Sequence, residues 1–373
     1  MKSIKSVKDK KLKIAVIGGG IFGTTCALIL GKYFAVSVFE RHEDILAEAS
    51  YANQYRHHMG YHYPRSGETI EEIKNATKDF EAFFKPIIVA KFPSYYAVAK
   101  TDSKVSAAQF LQICRKKDLP YVHAYPPAEL LNRKEVSVCV KTPEKNYDYQ
   151  ALKKFIRRKL KNNPHISLNL NQRITGAALA RDGKKVLTIQ KGKKKVKREF
   201  DYVINATYAN YNNFCNWMKF TPRKIHYRLK EVIIVKIKHP QTTAVTVMDG
   251  PFATFIPIGH DNLYTFGDVP LSVHEEYAFS DSAFKIEKKL KKLKTRWPEM
   301  QKRSSKWLPI IKSAQYVGSM FVILPVEPAS DSNNARPTVI TNHGHGCWSV
   351  LSGKIITCVS AARAILKEIQ SIN

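Results

Sequence analysis

Apolar and polar positions along the chain change period several times. Residues 13–17 (KIAVI) form a β-branched apolar run, long enough for one buried strand. Glycines follow, then a stretch of small and apolar residues predicts a helix, and "AVSVFE" at 35–40 predicts a second strand ending on an acid. Ser66 opens a helix over 66–85, with Ile70, Ile73, Thr77, Phe80 and Phe84 on one face and Glu68, Glu71 and Glu72 near its positive end. Short strands and a helix near 105–117 fill 87–145, and "YPPAELL" at 125–131 suggests a loop opening a short helix. An amphipathic helix over 149–162 stops at Asn163 and Pro164, and strands follow through 166–206. Residues 226–268 are strand-rich, and 281–297 suggest one basic helix carrying Phe284, Leu290, Leu293 and Trp297. The last strand is placed at 337–342 and the last helix at about 350–368. This alternation predicts an α/β fold with an antiparallel-rich second unit threaded through the first.

Composition narrows the classes. The chain has 373 residues, 44% of them hydrophobic, enough for two modest cores. No apolar run reaches the length of a membrane-spanning helix. The basic lead-in (MKSIKSVKDKKLK) meets glycines rather than a secretory apolar segment, so a cytoplasmic location is expected. The six cysteines form no C-x-x-C pair and are expected as free buried thiols. A formal charge of +30 would attract polyanions, including nucleic acid or an anionic membrane to which the protein could be peripheral. The densest run, Lys191–Arg198, surrounds Gly192 as a hairpin tip would, with no aromatics for base stacking. Specific nucleic-acid recognition is not expected from it.

The most informative segment is "KIAVIGGGIFGTTCALIL". Gly18, Gly20 and Gly23 fit G-x-G-x-x-G between a strand and a helix. Gly18 permits the tight turn, Gly20 lets a pyrophosphate approach the backbone, and Gly23 lets helix and strand pack closely. Ile21 and Phe22 offer N–H groups at the helix N-terminus, where unpaired donors and the dipole favour phosphate. Glu40, 22 residues after Gly18, can accept from ribose hydroxyls and would repel a 2′-phosphate; Arg41 follows it. A dinucleotide is expected, and the motif alone does not separate FAD from NAD.

Four segments together resemble the D-amino acid oxidase-like family of FAD-dependent oxidoreductases, which includes glycine, sarcosine and 2-hydroxyglutarate oxidases. They are the Gly18–Glu40 unit, "ASYANQYRHHMGYHYPRS" (49–66), "DYVINATYAN" (201–210) and "TNHGHGCWSVLSGKIITCVSAARAIL" (341–366). The resemblance implies FAD as cofactor and a glutathione-reductase-like FAD domain interleaved with an antiparallel-sheet substrate domain. It implies an FAD domain built from 11–90, 149–215 and 321–373, and a substrate domain built from 91–148 and 216–320. It implies flavin contacts from Ser50, Asn53 and Gly60, from Ala206 and Thr207, and from Gly344, Gly346, Cys347 and Trp348. The turn Gly344–Ser349, leading into the final helix, would stabilise negative charge on the reduced ring.

For chemistry, the cluster His57, His58, Tyr61, His62 and Tyr63 offers a base or substrate contact in His58 and a contact in Tyr61. His58 and His62 are spaced as a helical metal pair, but Gly60 and Pro64 oppose a helix and no metal is expected. A histidine here could instead tether the flavin. Arg56, Arg65, Arg223 and Arg228 are candidate carboxylate clamps, with Arg228 preferred. Tyr264 could face substrate, although Phe266 on the same strand face makes an aromatic core the competing account. The expected activity is oxidation of a C–N or C–OH bond of a small amino acid, amine or 2-hydroxy acid. The alternatives are a flavoenzyme for an aminomethyl-modified nucleic-acid base, and a non-catalytic FAD-binding protein.

Overall fold

The computed structural model describes residues 11–89, 92–259, 262–278, 283–327 and 337–372. Most of the basic lead-in lies outside them. Strand β1 (Lys13–Ile17), helix α1 (Ile21–Leu30) and strand β2 (Ala35–Phe39) form the expected βαβ unit, with β1 parallel to β2. Helix α1 is apolar on nearly every side, which suits its position packed on β1 and β2 and against the last helix.

A six-stranded sheet grows around this unit. Its order is Val339–Asn342, Cys347–Leu351, Tyr202–Asn205, β1, β2 and Ile166–Asn169, parallel except at the first pair. Three stretches of sequence thus build one dinucleotide fold. Helix α2 (Gly67–Phe84) begins where Ser66 accepts from the Thr69 N–H, and α3 (Ala107–Lys116) begins in a Ser106/Gln109 capping box. Asp148 caps α4 (Tyr149–Lys161), which buries Leu152, Ile156 and Leu160 and leaves its cations outside. Helix α5 (Tyr211–Met218) follows the parallel strand Tyr202–Asn205.

The second large sheet roofs the first. Its spine is the pair His226–Lys236 and Gln315–Val326, antiparallel along nearly their whole length. Residues 321–326, expected with the FAD unit, lie in this strand. Ala244–Met248 runs parallel to Ser94–Ala99; the other pairs in this sheet are antiparallel. A separate three-stranded sheet orders Arg173–Leu179, Lys185–Lys191 and Lys194–Phe200, with the expected basic hairpin turning at Gly192. All six cysteines are free and buried.

Three local expectations need correction. The loop at 125–131 opens only a single 3-10 turn, Arg133–Glu135, and not an α-helix. The basic helix over 281–297 is two helices, α6 (Ala283–Leu290) and α7 (Trp297–Ser304). Pro298 explains the break, because proline suits a first helical turn but not an interior. The final helix, α8 (Cys358–Ile372), starts later than expected, because Cys347–Leu351 is a buried strand.

Candidate functional site

The glycine loop is built by close approach. Gly18 has φ +106°, and a Cβ there would meet the Ala206 carbonyl oxygen at 2.6 Å. A Cβ on Gly23 would meet the Gly18 oxygen at 2.0 Å, so Gly23 stands behind the loop as a packing glycine. Gly20 differs. The nearest atom to a Cβ there is Ser50 Oγ at 3.4 Å, and the residue lines a cavity of about 400 Å³. Ser50 Oγ accepts from the Ile21 N–H at 3.0 Å, which fixes the segment after β2 against the N-terminus of α1.

Glu40 is buried at the end of β2. Its carboxylate accepts from the Gly19 N–H at 2.7 Å and the His42 N–H at 2.8 Å and still lines the cavity, with lone pairs to spare. Beside it, Arg41 pairs with Glu48 and, at 2.6 Å, with Glu287 of α6. Burial would raise the Glu48 pKa, but the His42 hydrogen bond and the Arg41 charge hold it at about 2. Arg173 completes this cationic wall.

Another wall carries the titratable groups. His58, His62, Tyr63, Arg56 and Lys354 face the cavity, together with Lys230, Val232, Val322 and Leu324 of the roof. Burial, reinforced by the electrostatic influence of His62, Arg56 and Lys354, pushes the His58 pKa well down, which favours the neutral imidazole. Its Nδ1 has no hydrogen-bond partner among the described residues. Arg56 donates to Tyr96 Oη at 2.8 Å and Thr254 Oγ1 at 2.5 Å and lies 3.5 Å from Glu144. Burial raises the Glu144 pKa in spite of that arginine. Asn53 orders the loop from within: its amide donates to the Ala49 and Ser50 carbonyls, and its oxygen accepts from the Tyr55 N–H and Tyr147 Oη.

Gly18, Gly20, Ile21, Phe22, Glu40, Arg41, Ser50, Asn53, His58, Ala206 and Thr207 therefore surround one cavity. Other expected site residues do not line it. Gly60 (φ +114°) lets α2 approach, since a Cβ would meet Ile70 Cγ2 at 3.0 Å. Tyr61 donates to the Pro120 carbonyl at 2.5 Å and packs on Tyr96. Arg228 pairs with Glu276 at 3.0 Å. Tyr264 is buried in the roof core with Phe255 and Phe266, so the aromatic-core account holds. Gly344 and Gly346 turn a hairpin, and Cys347 and Trp348 lie in its second strand, where Trp348 Nε1 donates to Glu368. Two of the other arginines are also engaged: Arg65 with Asp249 at 2.5 Å, and Arg223 with Glu327. The cavity is closed instead by Ser352, Gly353, Lys354 and Ile355, one strand later. Their sequence signal was the glycine–lysine pair directly after the last apolar run. Lys230 and Arg173 carried no signal of their own.

The sequence profile of the family described as FAD dependent oxidoreductase matches residues 13–356. The chain belongs to this family. It is an FAD-dependent oxidoreductase of the D-amino acid oxidase type. It is 25% identical over 362 residues to a protein of Fusarium mangiferae named as an FAD-dependent monooxygenase, covering 95% of this chain and 90% of that one. The fold is shared with the L-α-glycerophosphate oxidase of Mycoplasma pneumoniae, solved with FAD bound (TM-score 0.75, 12% identity, covering 95% of this chain and 94% of that one). It is shared also with the glycine oxidase of Geobacillus kaustophilus (TM-score 0.69, 13% identity, covering 95% and 93%).

The oxidoreductase's own residues fit FAD. Gly20 leaves room where a side chain would intrude, the N-terminus of α1 presents N–H donors, and Glu40 keeps acceptor capacity for a ribose. When bound, FAD supplies the hydride acceptor, and the protein supplies orientation and charge. Lys354, fully buried beside the cavity, holds a fixed positive charge there. No helix among the described residues is long and apolar enough to cross a membrane.

Proposed function

We propose that the enzyme oxidises a C–N or C–OH bond of a small amino acid, amine or 2-hydroxy acid, with hydride passing to the flavin N5. The carrying observation is His58. It is a half-buried imidazole in the cavity wall, held neutral by its depressed pKa, with Nδ1 unpartnered among the described residues. Such a group can take the proton from a substrate N–H or O–H as the hydride leaves. Lys230 and Lys354 in the same walls favour a substrate bearing a carboxylate. The names of the structural neighbours, an oxidase of glycine and one of glycerophosphate among them, support a small polar substrate. Arg56 is committed to Tyr96, Thr254 and Glu144 and serves as a positioning residue rather than the clamp.

The test is anaerobic mixing of the yellow holoenzyme with panels of amino acids, N-methyl amines and 2-hydroxy acids. Bleaching by one class, slowed about 10²-fold or more in His58→Asn with FAD retained, supports the assignment. If none of the three classes bleaches the flavin, the assignment fails. An oligonucleotide carrying an aminomethyl base that alone bleaches it would establish the nucleic-acid alternative. A second reading, monooxygenation, is favoured by the name of the Fusarium relative. Label from ¹⁸O₂ appearing in the organic product would decide for it.

A further inference from the structure

The hairpin of Lys185–Lys191 and Lys194–Phe200 ends its three-stranded sheet, so the second strand is an edge. Residues 191–199 are all exposed. They include Lys191, Lys193, Lys194, Lys195 and Lys197 against the single acid Glu199, and Val196 in their midst is 54% exposed. The register pairs Arg173 with Gln190, and Gln190 with Lys195, which places the hairpin tip beside Arg173. Arg173 feels the charge of Glu287, and Glu287 pairs with Arg41 at 2.6 Å. Glu287 lies in α6. That helix and the turn after it expose Lys288, Lys291, Lys292 and Lys294. Two lysine clusters about a hundred residues apart in sequence thus flank the Arg41–Arg173 wall of the cofactor cavity. Among the described residues none of these nine lysines has a carboxylate partner. Lys289, by contrast, is 3.6 Å from Glu275.

We propose that this end of the molecule docks on an anionic phospholipid surface. Unpaired lysines are compact, mobile charges that follow headgroup phosphates in a fluid plane, and each adds to the attraction. Val196 offers an apolar side chain to the interface between them. Nucleic acid fits less well. The hairpin carries no exposed aromatic for stacking, and its one arginine, Arg198, lies over the Phe39 and Phe200 rings at 5.7 and 5.5 Å. The cavity behind this end stays on the protein side, so docking leaves the flavin site intact.

The experiment is co-sedimentation of the FAD-loaded full chain with vesicles of phosphatidylcholine alone or with about 30 mol% phosphatidylglycerol. Binding to the anionic vesicles only is expected, falling about tenfold or more between about 50 and about 500 mM salt. The quadruple variant K193E/K194E/K195E/K197E and the triple variant K288E/K291E/K292E should each lose at least about tenfold in vesicle affinity. Both should keep the wild-type flavin spectrum, because none of these residues lines the cavity. The proposal is overturned if anionic vesicles do not pellet the protein, or if both variants bind like wild type. It is overturned in favour of nucleic acid if a single-stranded oligonucleotide at equal phosphate concentration strips the protein from the vesicles.

Discussion

Lys354 Nζ lies 2.9 Å from Glu72 Oε2, the lysine side chain fully buried and the carboxylate partly exposed. The other oxygen of Glu72 accepts from the Thr338 N–H at 2.8 Å. Thr338 precedes the strand Val339–Asn342, and Lys354 follows the strand Cys347–Leu351. One carboxylate on α2 therefore holds both feet of the C-terminal hairpin and fixes a cation in the cavity wall.

Removing that carboxylate should cost stability and cofactor together. Glu72→Gln keeps an acceptor for Thr338 but takes the Glu72 charge away from the buried Lys354. The expected loss is about 2 kcal/mol, less than the ~3–5 for breaking a fully buried pair, because Glu72 meets solvent. Lys354→Met avoids the buried charge and should be milder for the apoprotein. It should still weaken sulfite addition to the flavin, because the adduct gains negative charge that the lysine would offset. Thermal unfolding of the two apoproteins and sulfite titration of the two holoproteins check this. Wild-type sulfite affinity in Lys354→Met would sink the role assigned to the lysine.

Two alanine substitutions in one loop should fail in different ways. Gly23→Ala pushes a methyl to 2.0 Å from the Gly18 oxygen, so helix and strand must separate. About 1–3 kcal/mol of apoprotein stability should go, with FAD binding lost as well. Gly20→Ala meets only Ser50 Oγ at 3.4 Å and points its methyl into cofactor space. Its apoprotein should melt within a degree or two of wild type, while FAD affinity falls about tenfold or more. Equal melting losses for both variants would contradict the division of roles.

That loop was legible in the sequence because its requirements are local. A strand, three glycines, a helix and a terminal acid occupy 13–40 and specify each other. The segment 49–63 was half legible: Ser50, Asn53 and His58 face the cavity, but Gly60 and Tyr61 serve α2 and Pro120 instead. The C-terminal closure was placed one strand too early. "HGHG" offers glycines before an apolar run, and a hairpin turn and a strand-to-helix turn look alike there. Pairing of Val203–Asn205 with Cys347–Ser349 decides between them, and that pairing spans more than a hundred residues. Lys230 belongs to a roof strand whose facing is set by partners at 315–326 and 263–268, which periodicity alone does not name.

The residues moved out of the site yield a negative prediction. Tyr264→Phe removes a hydroxyl that bonds near Thr242 and Thr243, inside the roof core. Turnover should stay within about twofold of wild type, with about 1 kcal/mol lost in stability. Arg228→Ala breaks a partly exposed pair with Glu276 and should cost no more than about 1 kcal/mol. Steady-state kinetics on whichever substrate bleaches the flavin provide the check. A hundredfold fall in kcat for either variant would return that residue to the site.

The histidines predict how stability follows pH. His58 has a folded pKa well below its ordinary value, chiefly from burial, so the unfolded chain binds its proton first on acidification. The stabilising contribution is therefore complete above the unfolded value of about 6.5 and is lost as pH falls below it. His57 and His343, also depressed by burial, act in the same direction. His42 opposes them. Its bond to Glu48 raises its pKa, so its contribution is present in acid and lost as pH rises. Glu144, raised by burial, likewise favours the folded state on the acid side. Wild type alone thus reports a sum, whereas the difference between wild type and His58→Asn isolates one group. That difference should shrink between about pH 7.5 and about pH 5.5, as wild type pays the proton-linked cost and the variant does not. Urea unfolding at the two pH values measures it. A difference that is constant, or that grows in acid, would mean that the folded protein does not hold the His58 pKa below its ordinary value, and would remove the support for its role as base.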